Sequence, residues 1–121
     1  MLSPVPMDPV APRVRPVVDA LVRRVMELAP GQDDALVAET STILLRKIAN
    51  MPKHLGAGML ALTAVFDASA NATAGRPFRD LDAEGQRRHI ALWRRAPFCR
   101  DLVAFYEKMG VFVFYSLREG E

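Results

Sequence analysis

Residues 56–61, Gly56-Ala57-Gly58-Met59-Leu60-Ala61, carry the G-x-G-x-x-A spacing that cradles a dinucleotide pyrophosphate. That chemistry needs a buried strand ahead of the first glycine, so that the phosphates meet a helix N-terminus after a tight turn. Met51-Pro52-Lys53-His54-Leu55 stands there instead, with no βαβ unit around it. These small residues are therefore read as helix-packing positions. His54 and His89 lack the spacing of a metal-ligand pair. His54 reads as a surface residue, and His89, one turn before Trp93, as a satisfied aromatic neighbour. Cys99 lies near Arg95 and Arg100 in the first turn of a helix, where a thiolate is favoured. No Cys-His pattern accompanies it, so a small buried hydrophobe is its expected role. The acids Asp33-Asp34 and Asp80, Asp82, Glu84 stand where helix starts want them. No catalytic, cofactor-binding or metal-binding residue is assigned in this chain.

The remaining chemistry is that of recognition. Arginine outnumbers lysine thirteen to three, and Arg87, Arg88, Arg94, Arg95 and Arg100 crowd into fourteen residues. Arg87 and Arg94 are seven residues apart, as are Arg88 and Arg95, so each pair stacks along one helix face. Such a stripe reads first as solvated helix surface and next as a site for an acidic patch on a protein, ahead of anionic lipid or nucleic acid, because no helix-turn-helix with a distinct recognition helix accompanies it.

The elements that must hold these residues read as helical throughout. Four prolines in the first twelve residues mark an extended arm over 1–13. From 14 to 121 the pattern predicts a single all-α domain of about five helices in a compact bundle. Val14, Val18, Leu21, Val25 and Leu28 form the first apolar stripe, which Pro30-Gly31 stops. A second helix starts near Asp33 and turns Val37, Ile43, Leu44, Ile48 and Met51 inward. The third, about 52–72, has Leu55, Met59, Leu62 and Phe66 as its stripe and small residues on its flanks. Its low charge predicts the buried central helix. A fourth runs from about Ala83 to Arg95, capped by Asp82. A fifth, from about Pro97 to Leu117, has Phe98, Leu102, Phe105, Met109 and Phe112 as its stripe. Val111-Phe112-Val113-Phe114-Tyr115 is kept helical, because no second strand is available to pair with it.

At 121 residues, half apolar and a quarter charged, the chain has room for one globular core. A lone cysteine excludes an internal disulfide and suits a cytoplasmic location. The longest apolar run, Leu55 to Phe66, has twelve residues, against about 20 needed to cross a bilayer.

The order of motifs over residues 50–117 resembles the small helical accessory subunit of GMC-type flavoprotein oxidoreductases. That family is described as gluconate 2-dehydrogenase subunit 3-like, and it is similar to the helical segment before the flavin domain of long-chain alcohol oxidases. The resemblance is carried by Gly75-Arg76-Pro77-Phe78, Leu81, Leu92-Trp93-Arg94-Arg95-Ala96-Pro97, Arg100 and Phe114-Tyr115-Ser116. It implies structural roles for Arg76, Phe78, Leu81, Trp93, Pro97, Arg100 and Tyr115. It also implies that FAD and the catalytic histidine belong to a separate large subunit. Secreted members often carry a twin-arginine export signal, and this chain departs from that pattern. The expectation is a non-catalytic subunit that stabilises a FAD-dependent GMC-type dehydrogenase or oxidase, without nucleic acid. The expected contact residues are Arg88, Arg95, Arg100, Trp93, Phe112, Phe114 and Tyr115. The alternative is a helical module for an apolar ligand or a membrane surface, using Met59, Phe66, Met109 and Phe112.

Overall fold

Val14, Val17, Val18, Leu21 and Val22 recur at steps of three and four, and each is at most 1 % exposed. They make helix α1 (Ala11–Val25) the axis of a computed structural model that describes residues 11–120, apart from the side chains of 11–13 and of Phe98. Around it stand α2 (Asp34–Ala49), α3 (Lys53–Ala74), a 3-10 turn (Phe78–Asp80), α4 (Ala83–Trp93) and α5 (Pro97–Glu119). The result is an all-α bundle, with no strand among the described residues. Residues 1–10 of the proline-rich arm lie outside the described residues, and 11–13 already belong to α1.

Helix α1 touches every other element, so it takes the central place that low charge suggested for α3. The reason is the shape of the apolar surface. Helix α1 is apolar on adjoining stripes with branched side chains that fill space on several sides, whereas α3 buries one stripe, Gly56, Leu60, Thr63, Phe66, Asp67 and Ala70. Leu55 of the expected stripe is exposed, and Met59 and Leu62 are half-buried. The active member of the small-residue motif is Gly56. A Cβ there would lie 2.6 Å from the Ile48 carbonyl oxygen, so only glycine lets α3 approach the end of α2 this closely.

Helix α1 stops before Pro30-Gly31. Leu28 N–H donates to the Arg23 carbonyl at 2.9 Å and Glu27 N–H to that of Arg24 at 3.1 Å, the paired bonds of a Schellman ending. Glu27 occupies the left-handed position at φ 54°, where glycine is usual. Buried Leu28 supplies the apolar contact that accompanies such an ending.

Two polar ties secure the turn between α3 and α4. Buried Asp67 accepts the backbone N–H of Arg79 at 3.0 Å and its Nη1 at 2.5 Å, pinning the 3-10 turn to α3. The Asp82 carboxylate then caps α4 by accepting Gly85 N–H at 2.8 Å. Asp33, by contrast, makes no side-chain cap to α2 and sits at φ 53°.

The seam between α3 and α4 is aromatic. Phe66 has Phe78, His89 and Trp93 with ring centroids at 4.6, 4.8 and 4.9 Å. On α5 the buried side chains are Leu102, Val103, Tyr106, Val113 and Phe114. The core face is therefore rotated from the expected one, with Phe105 and Met109 half-buried and Phe112 outside. The side chain of Phe98 falls outside the described residues. Helix α5 runs unbroken through Val111–Tyr115.

Candidate functional site

The residues that could have carried small-molecule chemistry are absorbed into packing. The six residues 56–61 lie inside α3, with Gly56 against α2 and no atom within 4 Å of a Cβ added at Gly58. His89 is buried, and its Nε2 lies 2.8 Å from the Phe66 carbonyl oxygen, a contact that makes Nε2 the proton-bearing nitrogen. Ser69 Oγ is 3.2 Å from the same nitrogen and accepts Trp93 Nε1–H at 3.2 Å. His54 is exposed and Cys99 is half-buried. Tyr106 OH sits 2.8 Å from Thr63 Oγ1, whose own proton goes to the Met59 carbonyl. Burial pushes this phenol up to about 12, against the smaller opposing effect of the Thr63 bond.

The arginine stripe divides in two. Arg87 is engaged by Glu27 at 2.7 Å and Glu84 at 3.4 Å, and Arg94 by Glu107. The Arg87 hydrogen bond holds the Glu27 carboxyl below its ordinary value, and Glu27 raises the Arg87 guanidinium in return. Arg88 and Arg95 lie one residue further on, project elsewhere, and pair with no acid among the described residues. They border a groove of about 590 Å³ between the end of α3 and α4, whose wall includes Ala74, Leu81, Ala91 and Leu92. Arg100 is also exposed, near the start of α5.

Trp93 is buried in the aromatic seam and Phe114 is fully buried, so both belong to the core rather than to a contact face. Phe114 is also covered by the Arg118 guanidinium, 5.8 Å from its centroid. Phe112 is 63 % exposed, and Tyr115 and Val111 share its exposure. Val111 stands one turn and Tyr115 two turns beyond Glu107, so the patch continues along α5 from the Arg94–Glu107 pair. Of the residues weighed for an apolar-ligand site, Phe66 is enclosed, Met59 and Met109 are half-buried, and Phe112 is open.

A second open surface lies on the outside of α3. Along the outside of α3 the exposed positions Ala57, Gly58, Ala61, Val65, Ala68, Asn71 and Ala72 include no charged residue. Gly58, Ala61, Val65, Ala68 and Ala72 follow one another at steps of three and four, so they form one stripe. That spacing is legible in the sequence, where the same low charge predicts burial.

A larger cleft, about 790 Å³, lies between α1 and the turn leading into α4. Its walls bring Arg23, Arg24, Glu27, Arg79 and Arg87 together, and each is paired within the fold: Arg23 with Asp34, Arg24 and Arg87 with Glu27, and Arg79 with Asp67. It reads as a charge network rather than an open receptor.

No family model, curated protein or solved structure matches this chain.

Proposed function

We propose that the chain is a non-catalytic small subunit that binds and stabilises a larger FAD-dependent GMC-type dehydrogenase or oxidase, with the flavin held by that partner. The supporting observation is the uncharged outer face of α3, from Ala57 to Ala72. A helix on the outside of a free-standing domain turns polar side chains to water. This one offers alanine, glycine and Val65, which is 53 % exposed, and small residues allow a second helix to approach closely. Phe112, Tyr115 and Val111 on α5 add bulky anchors of the kind that dominate protein contacts, and Arg88, Arg95 and Arg100 add charge. The kind of partner is taken from the resemblance of residues 50–117.

A second reading, attachment to a membrane surface, is favoured by one observation. Helix α3 is long and apolar enough to cross a bilayer by length and composition, and only a third of its most apolar window is buried.

The test is affinity capture of the tagged chain from its native host, beside flotation with lipid vesicles. Recovery of a yellow complex that contains a GMC flavoprotein, weakened by Val65→Glu without a change in melting, is the expected result. Flotation with vesicles and no recovered flavoprotein would replace the first reading with the second.

A further inference from the structure

We infer that the groove between α3 and α4 is a docking site for an acidic amphipathic helix of a protein partner. The inference rests on the reading of the chain as a protein-binding subunit, but not on which protein it binds.

Arg88 and Leu92 stand one turn apart on α4, and Arg95, in the turn that follows Trp93, lines the same groove. The two arginines thus bracket Leu92 along the groove wall. Leu92 between them is 44 % exposed, a large apolar side chain held open between two cations. Neither guanidinium finds an acid among the described residues. Glu84, the acid four residues before Arg88, is taken up by Arg87 instead. Cations left open in this way keep their full capacity for bidentate pairing with carboxylates.

The complement follows from the same geometry. A helix with Glu at i and i+7 presents two carboxylates about 10 Å apart on one face with an apolar pair between them, the order in which Arg88, Leu92 and Arg95 line the groove. Leucines at i+3 and i+4 of that helix would cover Leu92 and the alanines of the wall. Helix-in-groove recognition combines apolar anchors and flanking charges in this way. Duplex nucleic acid fits less well. Two guanidiniums flanking a leucine neutralise few phosphates, the His89 ring in the groove wall is buried against Phe66 and offers no stacking face, and the net charge is only +2.

The probe is a labelled alanine-based helical peptide with Glu at i and i+7 and Leu at i+3 and i+4, titrated with the full chain by fluorescence anisotropy. The wild type is expected to bind, more weakly as salt rises. The double variant Arg88→Glu/Arg95→Glu, whose exposed positions leave the melting curve unchanged, should bind at least about tenfold more weakly. A peptide with Lys in place of both Glu residues should reverse the preference and favour the double variant. The inference is overturned if the wild type ignores the Glu peptide, or if the double variant binds it equally well. It is also overturned if duplex DNA or anionic vesicles displace the peptide from the wild type at lower concentration. Lost peptide binding with flavoprotein capture intact removes the groove alone. Failed capture with peptide binding intact removes the subunit reading alone.

Discussion

Arg24 Nε donates to Gln86 Oε1 at 3.0 Å, joining α1 to α4 across 62 residues of chain. Both side chains are buried, and Gln86 Nε2 goes on to donate to the Phe78 carbonyl at 3.2 Å. One amide thus serves a buried cation and the turn that leads into its own helix. Replacing Gln86 by Leu leaves both partners without it, at a cost of about 2–3 kcal/mol in urea unfolding. Gln86→Glu should cost less, since a carboxylate still accepts from Arg24. Equal losses in the two variants would show that the bond to Phe78 dominates.

The two glycines of the G-x-G-x-x-A stretch should respond in opposite directions. Gly56→Ala drives a Cβ into the Ile48 carbonyl at 2.6 Å and should cost about 1–3 kcal/mol. Gly58→Ala meets nothing within 4 Å and should stabilise α3 by about 0.5–1 kcal/mol. Thermal unfolding of both variants checks the contrast.

Glu27→Gly sets backbone strain against ion pairing. A non-glycine residue in the left-handed region costs about 1–2 kcal/mol. Against it stand the pairs of Glu27 with exposed Arg87 and buried Arg24, from which a carboxylate this exposed gains little. The variant is therefore expected to be as stable as the parent or slightly more so. Because the Glu27 carboxyl is held below its ordinary 4.5, its stabilisation is present above that value and lost as pH falls through the depressed one. Unfolding measured across that acid range should lose this contribution in Glu27→Gly.

The Tyr106 phenol makes stability fall at high pH. It remains protonated in the fold up to about 12, whereas in the unfolded chain it ionises near its ordinary 10. Stability is therefore intact below pH 10 and declines between about 10 and 12, by up to about 2–3 kcal/mol. Tyr106→Phe should remove this decline while costing about 1 kcal/mol at neutral pH for the lost Thr63 bond. Unfolding followed against pH for both proteins separates the two effects.

Phe112 and Phe114, two residues apart on α5, should separate binding from folding. Phe114→Ala is expected to cost about 3–5 kcal/mol, because the ring is fully buried. Phe112→Ser should leave melting within about 0.5 kcal/mol of the parent. If it also leaves partner capture unchanged, the α5 patch has no part in the contact.

The helices were legible because each carries its own three-four repeat, and Pro97 and Asp82 mark their starts as written. Less legible was what depends on distant partners. Nothing local to Arg24 announces Gln86, 62 residues away. Nothing local marks Glu27 as left-handed either, because Pro30-Gly31 is the stronger stop signal in the sequence. On α5, aromatic residues occur on more than one face, so periodicity alone chose Phe112 as core where tertiary packing chose Phe114. Arg88 and Arg95 were read from spacing, but which of the two arginine pairs stays open depended on where Glu27 and Glu107 arrive.

Among the described helices the central α1 is synthesised first and its partner α5 last. Helices α1 and α2 both pack against α5, so their valines and leucines have no complete cover until Leu102 to Phe114 have left the ribosome. The core is therefore expected to close only once α5 has emerged, in one all-or-none step. The emerging valine-rich segment would be a client for whatever chaperone meets it first.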